Sequence, residues 1–316
     1  MISLRECLND YLTMRRALGF SLRRPGNALR DFVTFAEKNG VQYITTALAL
    51  EWAQKPVPAQ PATWASRLGQ VRVFARYMSA LDPRTEIPPL DLLPHSPKRA
   101  RPYIYTDKEV QNLMAAALNL PICPCWPAAS LLKRQTYYCL IGLLSVTGMR
   151  IGEATALKLK NVDLDAGVLT IEGAKLGKSR LLPIHDSTLK SLREYKAHRD
   201  EYLQGRYADR FFINKVGQCL DHGAVRRTFY AISRVTGLRG KCAKQGPRIH
   251  DFRHRFAVKT LLHWYRGGED VERLLPVLST YLGHVHVSDT YWYLTAYPEL
   301  MGHAVQRLEK RWGVKS

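Results

Sequence analysis

The sequence predicts a mainly α-helical protein of the α+β class, with a helical N-terminal domain and a second domain of helices around a small antiparallel sheet. Two observations lead to this fold. Apolar residues recur at helical spacing through most of the chain, whereas β-type patterns occupy only short runs. A proline-rich stretch near residue 90 separates two parts, and 316 residues are enough for two hydrophobic cores.

The first domain, residues 1–82, is predicted to be entirely helical. Leu4, Leu8 and Leu12 repeat at helical spacing and mark the first helix, which ends among basic side chains such as Arg15 and Arg23. Three further helices are expected at about 29–36, 48–53 and 62–81. No strand pattern interrupts them.

Residues 83–105 are predicted to be an extended, basic linker. Six prolines fall between positions 83 and 102, and three basic residues lie at 98, 99 and 101. Proline lacks the backbone N–H that a helix needs and fixes the preceding residue in an extended conformation. The second domain is therefore expected to cover residues 106–316.

The second domain starts with a helix signal, in which Thr106 is the N-cap and Glu109 completes a capping box. An apolar helix is expected at about 137–146. The β-rich runs 167–173 and 180–184 indicate a hairpin, and 211–214 could add a third strand. Further helices are predicted at about 187–203, 223–235, 250–265, 271–282 and 299–312.

The charge balance favours a polyanionic partner. The chain has 47 Lys+Arg and 27 Asp+Glu, a net charge of +20, with a pI near 9.8. Residues 1–100 hold 14 basic and 8 acidic residues, and residues 101–316 hold 33 and 19, so both parts are positive. Phosphates neutralised by Lys or Arg release counterions, which drives nucleic-acid binding. We therefore expect a nucleic acid to contact both domains.

Composition also excludes several classes of protein. The longest apolar run, about 139–146, is far shorter than the ~18 residues of a membrane span, and the N-terminus lacks a signal-peptide pattern. We expect a soluble, cytoplasmic protein without a membrane partner. The six cysteines and ten histidines form no strong metal motif, so reduced thiols and no metal site are expected.

One segment suited to phosphodiester chemistry is 147–153, of sequence Thr-Gly-Met-Arg-Ile-Gly-Glu. Its turn brings Arg150 to the start of a new helix. Glu153 follows one helical turn later, close enough to brace the Arg150 guanidinium.

Two later segments carry further candidates. In 248–254, His250 and Arg253 share one face of a helix's first turn, where backbone N–H groups favour anions. In 283–294, His284 is followed nine residues later by Tyr293. Two arginines and an imidazole could thus converge on one phosphate. Spacing assigns no role to His254, His286 or Asp251.

Taken together and in this order, the segments resemble the tyrosine recombinase (phage-type integrase) family. The family pattern is an Arg in a TGxR turn, a hairpin Lys, HxxR, and LGH followed by a Tyr, and the match spans about residues 135–300. The resemblance implies a core-binding domain at 1–82 and a catalytic domain at 106–316. It implies site-specific cleavage and rejoining of DNA strands through a 3′-phosphotyrosyl intermediate, without metal, ATP or another cofactor.

Carried over to this chain, the family's two arginines fall on Arg150 and Arg253, its histidines on His250 and His284, and its nucleophile on Tyr293. The partner would be double-stranded DNA, bound by a homotetramer on two DNA sites. The expected setting is a mobile genetic element, with DNA integration and transposition among the expected activities. The residues leave open whether the outcome is integration, excision, inversion or resolution.

The hairpin lysine has two candidates. Aligning 178–183 with the family's second strand places the catalytic lysine on Lys175, at the end of the first strand, and leaves Lys178 as a turn residue near the DNA backbone. We favour Lys175 over Lys178.

These residue types suit the reaction on chemical grounds. Two guanidiniums can bind the phosphate oxygens bidentately while staying protonated, and so stabilise the charge that grows in the transition state. A free phenol has a pKa near 10, so its attack needs a base or neighbouring charge. His250 is the candidate to accept the phenol proton, and Lys175 is the candidate to protonate the departing 5′ oxygen.

Three tyrosines compete for the role of nucleophile. Tyr291 and Tyr293 point about 200° apart on a helix, so they cannot both face the arginines. Tyr297 shares a face with Tyr293 but precedes Pro298, which ends the segment. The nine-residue interval from His284 favours Tyr293.

Two other functions compete with site-specific recombination. A type IB topoisomerase would use the same chemistry but rejoin the same strand and relax DNA. A non-catalytic DNA-binding regulator would carry these residues incidentally.

The C-terminal tail has an apolar stripe of Met301, Val305, Leu308 and Trp312. This helix could pack on its own domain. In the resembled family the C-terminal segment docks into a neighbouring protomer, which we favour here.

Overall fold

The structure, a computed structural model, describes residues 3–55, 58–93, 101–172, 179–243 and 245–312. Within these ranges the chain forms thirteen α-helices, one 3-10 turn and a three-stranded antiparallel sheet, so the predicted fold class is confirmed. The chain divides into two compact units, Met1–Ala100 and Arg101–Ser316. None of the described helices combines the length and the apolar character that a bilayer span requires.

The first unit consists of four helices around an aromatic core. They are α1 (Leu4–Ala17), α2 (Arg23–Lys38), α3 (Thr46–Gln54) and α4 (Pro61–Met78), and all four were predicted. A capping box between Ser3 and Glu6 satisfies free N–H groups at the start of α1. Phe32, Trp52 and Phe74 are almost completely buried between the helices.

The described ends of the predicted linker pack on the units rather than extend freely. Arg72 of α4 donates from Nε to the carbonyl of Pro88 at 2.7 Å, and Leu93 packs on the first core. At the other end, Tyr105 is 1% exposed and belongs to the core of the second unit. Residues 94–100 lie outside the described residues.

The second unit contains the other nine helices of the described chain and the sheet. The helices are α5 (Asp107–Leu118), α6 (Pro127–Thr147), α7 (Ile151–Ala156), α8 (Asp186–Leu203), α9 (His222–Val235), α10 (Asp251–Arg266), α11 (Val271–Leu282), α12 (Ser288–Ala296) and α13 (Pro298–Trp312). The predicted capping box of Thr106 and Glu109 starts α5. Buried side chains such as Leu140 and Ile141 on α6 form the centre of the main core.

The sheet has the order β1-β2-β3, with β1 at Val162–Asp163, β2 at Val168–Ile171 and β3 at Arg180–Pro183. Strands β2 and β3 pair antiparallel, with Val168 opposite Pro183 and Ile171 opposite Arg180. The predicted hairpin is therefore confirmed, although both strands are shorter than expected. Its connection, residues 173–178, lies outside the described residues.

The prediction of a third strand at 211–214 is wrong, because the third strand of the sheet is β1. Phe211, Phe212 and Ile213 are all buried, and the two phenylalanine rings pack against Tyr195 of α8. Three consecutive apolar side chains that are all buried suit a loop threaded through the core. A strand with one solvated face would bury every second residue. Ile213 forms only an isolated bridge with Cys219.

Candidate active site

Arg150 is placed by the sharp turn between α6 and α7. Gly148 ends α6 with φ +60°, and a Cβ at this position would lie 2.7 Å from the ring of Phe256. Only glycine combines this left-handed conformation with such close packing. Two residues later, Arg150 is the N-cap of α7.

Glu153 braces Arg150, as the sequence predicted. Arg150 donates to the Glu153 carboxylate from Nη1 and from its backbone nitrogen, each at 2.9 Å. Burial alone would raise the pKa of Glu153, but hydrogen bonds from Arg180 and Arg150 hold that pKa below its usual value. The carboxylate therefore stays ionised and fixes the guanidinium.

Arg253 lies in the first turn of α10 and is only 2% exposed. It donates from Nη1 to the carbonyl of Gly148 at 3.0 Å, so it is tied to the turn that carries Arg150. Burial and the nearby charge of Arg150 lower the pKa of Arg253 to about 10. The side chain is still protonated at neutral pH.

The end of α11 holds three arginines at once. The backbone carbonyls of residues 281, 282 and 283 each accept a hydrogen bond from a different guanidinium. The donors are Arg180 Nε at 2.8 Å, Arg253 Nη2 at 2.7 Å and Arg150 Nη2 at 2.9 Å. Carbonyls at a helix C-terminus lack helical partners and carry partial negative charge, so they suit cations. This turn brings the two predicted arginines together.

His250 sits directly before α10, as its N-cap, and its side chain reaches solvent. Partial burial of the ring and the charges of Arg253 and Arg150 lower the pKa of His250. The imidazole is therefore neutral at pH 7 and able to accept a proton. Its ring centroid lies 5.0 Å from that of His254.

Tyr293 projects from α12 into the same cluster and is 2% exposed. Its hydroxyl lies 3.1 Å from Nδ1 of His254, and its ring stacks on His284 at a centroid distance of 6.4 Å. Tyr291 is 50% exposed, so the two tyrosines do point in different directions, as helical geometry predicted.

The third candidate, Tyr297, is engaged elsewhere. Its hydroxyl donates to the carbonyl of Pro102 at 3.1 Å, and burial raises the pKa of Tyr297 to about 12. The phenol is thus held in a structural hydrogen bond and is hard to ionise.

The structure brings together five of the six predicted site residues: Arg150, His250, Arg253, His284 and Tyr293. The sixth, Lys175, lies outside the described residues, as does its alternative Lys178. In the part of the chain that is described, no three His, Cys, Asp or Glu side chains are grouped to hold a metal ion.

Sequence reasoning missed two residues of the cluster. Arg180 bonds Glu153 although 27 residues separate them, and no spacing rule connects a strand residue with a helix start. His254, in contrast, lies four residues after His250, so helical periodicity could have placed both on one face. Its contact with Tyr293 could not have been predicted, because α12 packs from a distant part of the sequence.

Comparisons with known proteins agree with this arrangement. Residues 104–299 match the model of the phage integrase family. The integrase/recombinase y4rB of Sinorhizobium fredii is 55% identical over 313 residues, which cover 99% of each chain. The tyrosine recombinase XerD of Caulobacter vibrioides is 29% identical over 258 residues, covering 78% of this chain and 74% of XerD.

A solved structure has the same fold. The Tn1549 transposon integrase, in complex with transposon right end DNA, superposes with a TM-score of 0.66 at 14% identity, covering 98% of this chain and 99% of that chain. The chain belongs to the phage integrase family, the tyrosine recombinases. The family predicted from the sequence is thus confirmed, and with it the class of enzyme that transfers DNA strands.

Proposed function

We propose that this protein cuts and rejoins double-stranded DNA at specific sites, with Tyr293 as the nucleophile. The observation that carries the proposal is the clustering of Arg150 and Arg253 on consecutive carbonyls of one turn, beside the phenol of Tyr293. One phosphate placed there can receive both guanidiniums. The proposed site residues are Arg150, Lys175, His250, Arg253, His284 and Tyr293.

In the proposed reaction, the Tyr293 hydroxyl oxygen bonds to phosphorus and the bond from phosphorus to the 5′ oxygen breaks. We assign the phenol proton to neutral His250, whose ring centroid lies 5.0 Å from that of His254, the residue that holds the hydroxyl. Lys175 supplies the proton that the departing 5′ oxygen needs. The phosphotyrosyl ester conserves the energy of the broken bond, so a 5′-hydroxyl of another strand can reverse the step. His254 supports this role of Tyr293 because it holds the hydroxyl at 3.1 Å.

The two arginines supply the charge stabilisation. Each is held by a backbone carbonyl before substrate binds, so little reorganisation is needed when charge develops on the phosphate. The pKa of Arg253, lowered by burial to about 10, leaves the guanidinium charged across the neutral range. The fold thereby keeps positive charge fixed where an anion reacts.

The proposed partners are duplex DNA and other copies of this chain. The net charge of +20, positive in both parts of the sequence, supports binding along a DNA backbone. We propose a homotetramer on two DNA sites, in the cytoplasm, with residues 1–82 and 106–316 both binding DNA and 83–105 linking them. The similar transposon integrase, solved with transposon end DNA, supports a role in a mobile genetic element.

Replacing Tyr293 with Phe tests the nucleophile. Because only the hydroxyl is removed, we expect DNA affinity to be largely retained and the covalent protein–DNA adduct to be abolished. The measurement is a denaturing gel with a suicide duplex that carries a nick near the cleavage point. The matched control is Tyr291→Phe, two residues away and 50% exposed, which should keep the adduct. An undiminished adduct with Tyr293→Phe would disprove the assignment.

The same substrates separate the competing functions. A product that joins two different duplexes indicates recombination, whereas relaxation of a supercoiled plasmid without joint products indicates a topoisomerase. DNA binding by the wild-type chain without any adduct would favour a non-catalytic regulator.

A further inference from the structure

A third arginine, outside the predicted site, is built into the same cluster. Arg180 is the first residue of β3, and its side chain is 9% exposed. It donates from Nη1 and Nη2 to the two carboxylate oxygens of Glu153 at 3.1 and 2.7 Å, and from Nε to the carbonyl of Tyr281 at 2.8 Å. All three nitrogens of the guanidinium are thus bonded within the protein.

Arg180 and Arg150 share Glu153 as a partner and bond different carbonyls of the same turn. Arg150, at the start of α7, and Arg180, on β3, both donate to Glu153. Both also donate to carbonyls in the turn 281–283 at the end of α11. Glu153 is therefore held from two sides, with a pKa lowered by both guanidiniums against the effect of burial. If Arg180 is lost, Glu153 keeps its bond to Arg150 but loses its fixed position.

Gly283 shows how closely Arg180 packs on this turn. A Cβ at position 283 would lie 2.8 Å from Nη1 of Arg180, and the glycine itself has φ +68°. The guanidinium therefore lies directly against Gly283, whose own carbonyl accepts a hydrogen bond from Arg150. If Arg180 is displaced, the turn 281–283 and the Glu153 carboxylate both lose hydrogen bonds that hold them in place.

We propose that Arg180 is a positioning residue, which fixes Glu153 and the turn 281–283 and thereby sets the position of the Arg150 guanidinium for strand cleavage. This inference rests on the proposed function. Arg180 acts through Arg150 and not on the DNA, because its Nε, Nη1 and Nη2 atoms each already donate a hydrogen bond within the protein. Its effect should consequently appear in the chemical step and not in DNA affinity.

The test compares Arg180→Lys with a matched buried arginine. Lysine keeps the charge but cannot span two carboxylate oxygens and a carbonyl. The control is Arg199→Lys: Arg199 is 2% exposed and bonds the carbonyls of Ala208 and Arg210, away from the site. A thermal melt of each variant shows that it is folded and measures the general loss of stability.

The first readout is the single-turnover rate of adduct formation on the nicked duplex. We expect Arg180→Lys to slow this rate by about 100-fold, the effect of misplacing a reacting group. The dissociation constant for the same duplex should stay within about threefold, because Arg180 makes no contact with the bound DNA before the chemical step. Arg199→Lys should keep the rate. Equal rate losses in the two variants would overturn the proposal.

A double-mutant cycle separates positioning from an independent effect. If Arg180 acts through Arg150, the loss caused by Arg180→Lys should largely disappear in an Arg150→Lys background. Fully multiplicative losses would show that the two arginines act separately, and would also contradict the proposal.

A second readout does not depend on activity. Two backbone amides report on the support of the site: that of Ala154 donates to the Arg150 carbonyl, and that of His284 donates to the Ser279 carbonyl. We expect hydrogen exchange at both amides to be about tenfold faster, or more, in Arg180→Lys. Unchanged exchange there overturns the inference.

If wild-type protein forms no adduct, the proposed function fails by itself, and the exchange measurement still decides the role of Arg180. If Arg180→Lys does not fold, Glu153→Gln, which keeps an acceptor but removes the charge, replaces it in each measurement.

Discussion

Arg253 illustrates how single residues in this site balance burial against charge. The guanidinium is 2% exposed and lies near Arg150, and both conditions lower the pKa of Arg253. Carbonyls of Gly148 and Leu282 compensate by accepting two hydrogen bonds. The ordinary pKa of lysine is lower and shifts readily on burial, so arginine is the residue type that keeps its charge here.

His250 gives a pH-dependent prediction. The pKa of folded His250 lies below its ordinary value of 6.5, so in the window just below 6.5 the unfolded chain binds a proton that the folded chain does not. Stability should therefore rise with pH through this window and level off above 6.5. Urea unfolding midpoints measured from pH 5 to 8 should show the rise.

The His250→Gln variant should lose this part of the pH dependence. Carboxyl groups whose pKa is lowered by the fold, such as that of Glu153, also make the protein more stable as the pH rises. They do so at lower pH, and they are unchanged in the variant. A matched control is His198→Gln on α8, where the imidazole is 49% exposed. Identical pH profiles for wild type and His250→Gln would contradict the prediction.

At the residue scale, the sequence predicts the residues proposed to bind a phosphate better than the residues that hold them in place. Arg150, Arg253 and Tyr293 belong to recognisable segments, and the structure brings them together. The contact of Arg180 with Glu153 depends on how a strand packs against a helix start, and no local pattern encodes that distance.

Among the secondary-structure elements, the turn after α11 has the greatest effect on the site. It presents three successive carbonyls to three arginines, and the left-handed φ of +68° at Gly283 directs the chain from α11 toward His284. An alanine there would carry a strain of about 1–2 kcal/mol. Its Cβ would also lie 2.8 Å from Arg180.

We expect Gly283→Ala to lower the free energy of unfolding by about 1–2 kcal/mol or more and to reduce adduct formation strongly. The control is Gly237→Ala after α9, where φ is +75° and nothing lies within 4 Å of a Cβ. That variant should lose similar stability and keep its cleavage rate. Denaturant unfolding and the nicked-duplex assay measure the two effects. Equal cleavage by both variants would show that the turn does not position the arginines.

Elements with a clear period were predicted well, and irregular ones were not. Helix α11 was predicted with its observed bounds, because its apolar spacing and its flanking Asp270 and Gly283 agree. The segment 211–214 looked like a strand, because its apolar run is typical of one. Only tertiary packing, with Phe211 and Phe212 against Tyr195, distinguishes this buried loop from a strand.

For the whole molecule, the C-terminal helix α13 raises the question of assembly. Its inner face packs on α10 through buried Leu300, the ion pair of Glu299 with Arg266 at 2.6 Å, and stacking of His303 on Tyr265. The apolar stripe predicted from the sequence lies on a different face. Its exposed fractions are 46% for Met301, 47% for Val305, 44% for Leu308 and 71% for Trp312.

An exposed apolar stripe on a helix is typical of an interaction surface, so we expect it to mediate contact between protomers on DNA. The double variant Val305→Gln with Leu308→Gln should therefore melt at the wild-type temperature and bind a single site normally. It should lower the yield of complexes that contain two DNA sites, measured by native gel and light scattering. Leu300→Ala serves as a contrast, because emptying a buried position should cost about 2–5 kcal/mol of stability. A double variant that loses stability but assembles normally would show instead that the stripe packs within its own chain.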